Sequence, residues 1–123
     1  MTMQISQHFN LEEVSCRCGC GQAIILPAVI GLLECIRGRV GPLEVFSYNR
    51  CLSHNKFCGG VDNSFHMYGL AVDIYSPNCS LDFLAETAAA AGADGIGIYR
   101  GQMFVHVDKR GLVGHDPGAR WEE

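Results

Sequence analysis

At 123 residues, with 48% hydrophobic and 18% charged residues, the chain has the length and composition of one soluble globular domain. A formal net charge of −4 gives no electrostatic reason to expect a nucleic-acid partner, and no apolar run approaches the ~20 residues of a membrane span. The opening MTMQISQHFNLEEV has neither a basic nor an apolar leader region, so synthesis in a cytoplasm without a signal peptide is expected.

Asn10, with Glu13 three residues later, has the pattern of a capping box that starts a short helix. CRCGCGQ, residues 16–22, cannot continue that helix, because glycines and alternating cysteines break it. Pro27 suits the first turn of PAVIGLLECIRGRV, where Val29, Leu32, Leu33, Ile36 and Val40 recur at helical spacing. Cys35, next to Ile36, is expected as a small core residue. Gly41-Pro42 ends the helix, LEVFS (43–47) is expected as a strand, and the polar stretch from Tyr48 to about Asn63 as a long loop. In the next strand, GLAVDI, Leu70, Val72 and Ile74 share one face while Ala71 and Asp73 share the other.

Ser80 can cap the alanine-rich helix LDFLAETAAAA, which Gly92 stops. DGIGIY and MFVHVD, separated at Arg100-Gly101, have the form of a hairpin. This order predicts an α+β fold: a small, mainly antiparallel sheet with helices packed on one face. One domain over 1–123 is expected, with a cysteine-rich arm over 1–22 and a catalytic core over 43–110.

Asp73 interrupts an apolar strand, and that is the first chemical signal. His106 and Asp108 share one face of FVHVD, with Val105 and Val107 on the other. With the hairpin beside the 70–74 strand, His106 and Asp73 project from the same side, and His66 can fold over them from the preceding loop. Two imidazoles and one carboxylate with one open position are the donor set of a catalytic zinc. Taken singly, each of these residues is more often structural; only the joint pattern points to a metal.

SYNRCLSHNKFCGGVDNSFHMYGLAVDI followed by GIGIYRGQMFVHVDKR resembles the D-alanyl-D-alanine carboxypeptidase-like zinc peptidases. That superfamily includes vancomycin-resistance dipeptidases, phage peptidoglycan endopeptidases and the hedgehog signalling fold. The matching positions are Ser47, Arg50, His54, Asn55, Gly59, Gly60, Ser64, His66, Gly69, Ala71, Asp73, His106 and Asp108. The N-terminal HFNLEEVSCRCGCG resembles phage and bacterial members as well. The resemblance implies that His66, Asp73 and His106 ligate zinc, which would bring the pKa of a bound water toward ~7. It implies that Arg50 holds a substrate carboxylate or carbonyl, a task that suits a planar fork of donors.

One position departs from the family pattern. Many relatives carry an acidic residue three positions before the last zinc histidine, and here that residue is Met103. Asp108 is then expected either as general base for the water or as the acceptor that orients a ligand, with the catalytic role favoured. His54 and Ser64 are expected as substrate-supporting residues, each equally explained by a loop hydrogen bond, and His115 as a surface turn residue.

Seven cysteines are many for a reducing compartment, and an odd number cannot all pair within one chain. Cys16, Cys18 and Cys20 cluster in one turn, and Cys51 follows Arg50. The four make a candidate structural zinc site, but the two-residue spacer of a zinc knuckle is missing, and free thiols or redox pairs are the weightier alternative.

The expected function is zinc-dependent hydrolysis of peptide bonds in peptidoglycan stem peptides by a monomer, as a D-Ala-type carboxypeptidase or an endopeptidase. A phage lysin, a tail-associated hydrolase or a bacterial enzyme fits this, acting on the cell wall after release. The alternative is a non-catalytic zinc module of the same fold that binds cell wall or a partner. A cysteine-rich nuclease is disfavoured by the acidic balance and the lack of a basic stripe.

Overall fold

A computed structural model describes residues 3–123. Among them the elements run α1 (Leu11–Val14), α2 (Pro27–Val40), β1 (Glu44–Ser47), α3 (Leu52–Phe57), β2 (Ala71–Tyr75), α4 (Leu81–Ala90), β3 (Gly95–Tyr99), β4 (Phe104–Asp108) and β5 (Arg120–Glu122). Among the described residues, no helix is long and apolar enough to cross a membrane.

The helix starts follow from their caps. Asn10 Oδ1 accepts from the Glu13 amide at 2.9 Å, and Glu13 Oε1 accepts from the Asn10 amide at 3.0 Å, completing the capping box of α1. Pro27 opens α2, whose buried stripe is Val29, Ile30, Leu32, Leu33, Ile36 and Val40. Ser80 Oγ accepts from the Phe83 amide at 3.1 Å at the start of α4.

The strands form one sheet in the order β1-β2-β4-β3-β5, antiparallel throughout except for the parallel β3–β5 pair. One face carries Val45, Val72, Ile74, Ile96, Val105 and Val107, which form a single buried cluster with the stripes of α2 and α4 and with Phe9 and Val14. The α+β reading, a small mainly antiparallel sheet backed by helices, is what the structure has. The opposite face carries Asp73 and His106, the polar residues of interest.

Several local expectations differ. The stretch after Tyr48 contains α3, capped by Cys51, whose Sγ accepts from the His54 amide at 3.4 Å. A six-residue helix with a thiol cap lacks both the usual capping residue and a full apolar period. Phe65–Tyr68 forms a 3-10 turn capped by Ser64. Cys35 is exposed, because one helical position away from Ile36 rotates it about 100° off the buried stripe. β5 went unforeseen, since three residues offer no alternation to read.

The N-terminal arm is tied down by Glu34 of α2. Its carboxylate accepts from Ser6 Oγ at 2.6 Å and from the His8 amide at 2.8 Å, and lies 2.6 Å from His8 Nδ1.

Candidate active site

The site begins with the backbone of SYNRC, residues 47–51. Tyr48 and Asn49 are both fully buried. The Asn49 amide group donates to the carbonyls of Val14 at 2.7 Å and Ile24 at 3.1 Å, and its Oδ1 accepts from the Ile24 amide at 2.8 Å. Tyr48 donates its hydroxyl to the Gly69 carbonyl at 2.9 Å, and burial pushes its pKa up to about 12. These bonds lock the segment between the N-terminal arm and the 3-10 turn, which fixes Arg50 and the Tyr48 carbonyl in space.

Strand register supplies the next two side chains. Asp73 of β2 lies directly opposite His106 of β4, on the face away from the core. His66 arrives from the 3-10 turn, its amide held by Ser64 Oγ at 3.3 Å. The ligand atoms of His66, Asp73 and His106 lie within 4.8 Å of one another, and all three residues are buried. Asp73 Oδ1 sits 3.2 Å from His66 Nε2 and 3.3 Å from His106 Nδ1, and the two imidazoles meet edge to face. Asp73 Oδ2 accepts from an Arg50 terminal nitrogen at 3.2 Å.

Each imidazole has its remote nitrogen fixed. His66 Nδ1 is 2.9 Å from the Tyr48 carbonyl, an acceptor that keeps the proton on Nδ1 and leaves the Nε2 lone pair facing the cluster. His106 Nε2 is 2.8 Å from Asp108 Oδ2, so its Nδ1 lone pair faces Asp73 and His66. Contacts of this kind orient imidazole ligands in metal sites. Nitrogen and oxygen ligands of a tetrahedral zinc, at about 2.0–2.1 Å from the ion, stand ~3.3 Å apart. The 3.2 and 3.3 Å separations from Asp73 Oδ1 fit that spacing, and the two imidazole nitrogens lie within 4.8 Å of each other.

Asp108 lies beyond the His106 ring, on the edge away from the cluster, and is fully buried. Its Oδ1 accepts from the amides of Gly95 and Arg110, both at 3.0 Å, and Oδ2 accepts from a terminal Arg110 nitrogen at 2.8 Å. Arg110 Nε bridges both oxygens at 3.1 Å. The Arg110 guanidinium lies over the rings of Phe65 (4.8 Å to the centroid) and Trp121 (5.0 Å).

The electrostatics follow from these contacts. Burial alone would raise the Asp73 carboxyl, but when His106 and His66 are protonated the bonds they donate and their charge hold it well below the usual carboxylate range. Burial would likewise raise Asp108, and His106 with Arg110 overrides it. Burial disfavours the His106 cation, yet the two carboxylates raise its pKa.

The remaining expected residues fall at different distances from this centre. Arg50 stands beside it, its Nε donating to Ser47 Oγ at 3.2 Å and a terminal nitrogen to Asn55 Oδ1 at 3.1 Å. Ser64 is buried as the cap of the turn that carries His66. His54 is not brought to the cluster: it lies in α3, with Nε2 3.5 Å from Cys58 Sγ and its ring stacked on Phe57. Met103 is half exposed in the β3–β4 turn, in a left-handed conformation (φ 62°). His115 is exposed, its ring edge against Phe65.

Arg110, Trp121 and the carbonyl of Tyr48 had no legible role in the sequence. Trp121 of β5 covers His106, ring centroids 5.1 Å apart, and donates to the Tyr99 hydroxyl at 3.0 Å. The glycines of GIG gave the one available signal. A Cβ at Gly97 would overlap the Trp121 indole, and one at Gly95 would overlap the Asp108 carboxylate. Both glycines clear room for the layer over the sheet.

No curated protein matches this chain. The family model for peptidase M15 matches residues 7–108, a span that takes in the capped α1, the SYNRC segment, His66, Asp73, His106 and Asp108. The chain belongs to the M15 family of D-alanyl-D-alanine carboxypeptidase-like zinc peptidases, as the sequence resemblance implied.

Proposed function

We propose that the protein hydrolyses peptide bonds in bacterial peptidoglycan stem peptides, next to D-alanine, using zinc held by His66, Asp73 and His106. Membership of a metallopeptidase family supports the reaction class. The observation that carries the site assignment is the convergence of His66 Nε2, His106 Nδ1 and an Asp73 oxygen at zinc spacing, with both remote imidazole nitrogens engaged. When bound, zinc supplies Lewis acidity toward the scissile carbonyl and acidifies a water in the position the three ligands leave open.

The chain's own residues do the rest. Arg50, held by Ser47 and Asn55 next to Asp73, offers its fork to the substrate's carboxylate or carbonyl. Asp108 acts through His106: it accepts the Nε2 proton and so keeps Nδ1 free to ligate. Its other contacts are taken by Gly95 and Arg110, which supports a positioning role over that of a base acting on water. Ser64 supports His66 from the turn, and a stem-peptide substrate sets the place of action at the cell wall, after release.

A specific feature favours a second reading. Among the described residues no further carboxylate joins the donor cluster, and Met103 stands where many relatives carry an acid. A zinc module that binds cell wall without cutting it would have this composition. Purified cell wall incubated with the zinc-loaded protein decides between them. Newly freed amino groups, absent in His66→Ala, are expected; binding without release would favour the module, and unchanged turnover in His66→Ala would defeat the assigned site.

A further inference from the structure

We propose that Cys16, Cys18, Cys20 and Cys51 form a second, structural zinc site that clamps the N-terminal arm to the segment carrying Arg50. This inference is independent of the substrate reading above.

The four sulfurs lie within 4.8 Å of one another although Cys51 is over thirty residues away in sequence. Cys16 and Cys18 Sγ are 3.4 Å apart, and Cys18 and Cys51 Sγ 3.6 Å. These separations exceed the ~2.05 Å of a disulfide and approach the ~3.8 Å between sulfurs bound at about 2.3 Å to a tetrahedral zinc. None of the seven cysteines is in a disulfide.

The loop is built for this convergence. In an extended chain Cys16, Cys18 and Cys20 would share one face but stand about 7 Å apart in succession, too far to meet at one ion. Left-handed Gly19 (φ 83°) and Gly21 (φ 89°) curl the chain so that the sulfurs draw together, and the Cys16 amide closes the loop on the Gln22 carbonyl at 2.8 Å. The missing two-residue spacer is thereby replaced by a glycine turn.

Backbone amides also point at the sulfurs. The Cys51 amide donates to Cys16 Sγ, the His54 amide to Cys51 Sγ and the Gln22 amide to Cys20 Sγ, each at 3.4 Å. Four thiolates around a dication leave two net negative charges, and donors aimed at sulfur stabilise that charge. Free thiols gathered without a metal would gain little from them.

The clamp sits where position matters. Cys51 directly follows Arg50, and the Gln22 side chain from the same loop donates to the Arg50 carbonyl at 3.0 Å. A metal joining residues 16–20 to 51 therefore fixes the backbone that presents the Arg50 guanidinium to Asp73.

The test is metal content and cobalt spectroscopy on the full chain, purified under reducing conditions. Two zinc per chain are expected, falling to one in Cys20→Ser and, independently, to one in His66→Ala. Reconstitution with cobalt is expected to give an intense near-ultraviolet thiolate-to-metal charge-transfer band, retained in His66→Ala and weakened in Cys20→Ser, which leaves three of the four thiolates. The band in the unmutated chain needs no variant, so a Cys20→Ser chain that fails to fold leaves the test intact. One zinc per chain without a thiolate band, or a disulfide among these cysteines in the reduced preparation, would overturn the proposal.

Discussion

Asp108→Asn separates the two roles open to this carboxylate. Asn keeps the shape but replaces one oxygen with an amide nitrogen that donates. If that nitrogen takes the Oδ2 place, it faces His106 Nε2 and the Arg110 guanidinium, both donors at 2.8 Å in the native contacts. His106 relieves the conflict by shifting its proton to Nδ1, the atom that faces Asp73 and His66. If it takes the Oδ1 place, it meets the Gly95 and Arg110 amides, also donors. Either way Arg110 loses its ion pair, a loss of about 3 kcal/mol in stability for a broken buried pair. Disturbing an outer-shell partner weakens metal binding by roughly 10–100-fold, about 1.4–2.8 kcal/mol. The assay is competition against a chelator of known zinc affinity, with His66→Ala as the blank that lacks this site. The positioning account expects weaker zinc binding and substantial turnover restored at saturating zinc. Native zinc affinity with turnover abolished would refute it and return Asp108 to the role of base.

Arg50→Lys replaces a fork that reaches Ser47, Asn55 and Asp73 with a single point charge, so KM for a stem peptide should rise about tenfold or more, with zinc content unchanged; steady-state kinetics and metal analysis check both. Gly97→Ala drives a methyl into the Trp121 indole and should cost about 1–3 kcal/mol in denaturant unfolding. Gly101→Ala, with open space around it, should cost far less, and equal losses would contradict the packing argument. Glu34 has a lowered pKa: burial raises it, but hydrogen bonds from Ser6 and His8 prevail. Its contribution to stability is therefore full above the unfolded value of about 4.3 and lost as pH falls through the lower folded value. Glu34→Gln should accordingly flatten the acid limb of the stability–pH curve, and an unchanged limb would contradict this.

Periodicity carried most of the fold. The α2 stripe, the Asn10 capping box and the alternation of β2 and β4 each follow from local rules, and the last of these put Asp73 and His106 on one face before any register was known. What stayed hidden depends on tertiary contact. α3 starts from a cysteine that is at once a cap and a member of the sulfur cluster, and β5 is held by pairing with β3 rather than by its own pattern. The choice between base and orienting acceptor for Asp108 turns on which edge of the His106 ring it meets, and a strand pattern says only that the two share a face. Arg110 was invisible for the same reason, since an arginine two residues past a strand aspartate is ordinary until a buried pair and two aromatic rings enclose it.

Anomalous diffraction at the zinc edge, on crystals of the metal-loaded chain, addresses the site itself. The account predicts a peak about 2.0–2.2 Å from His66 Nε2, His106 Nδ1 and an Asp73 oxygen, with Asp108 outside the coordination sphere and still bonded to His106 Nε2. A zinc ion bound through His106 Nε2 or Asp108, or no peak among the three side chains, would contradict it.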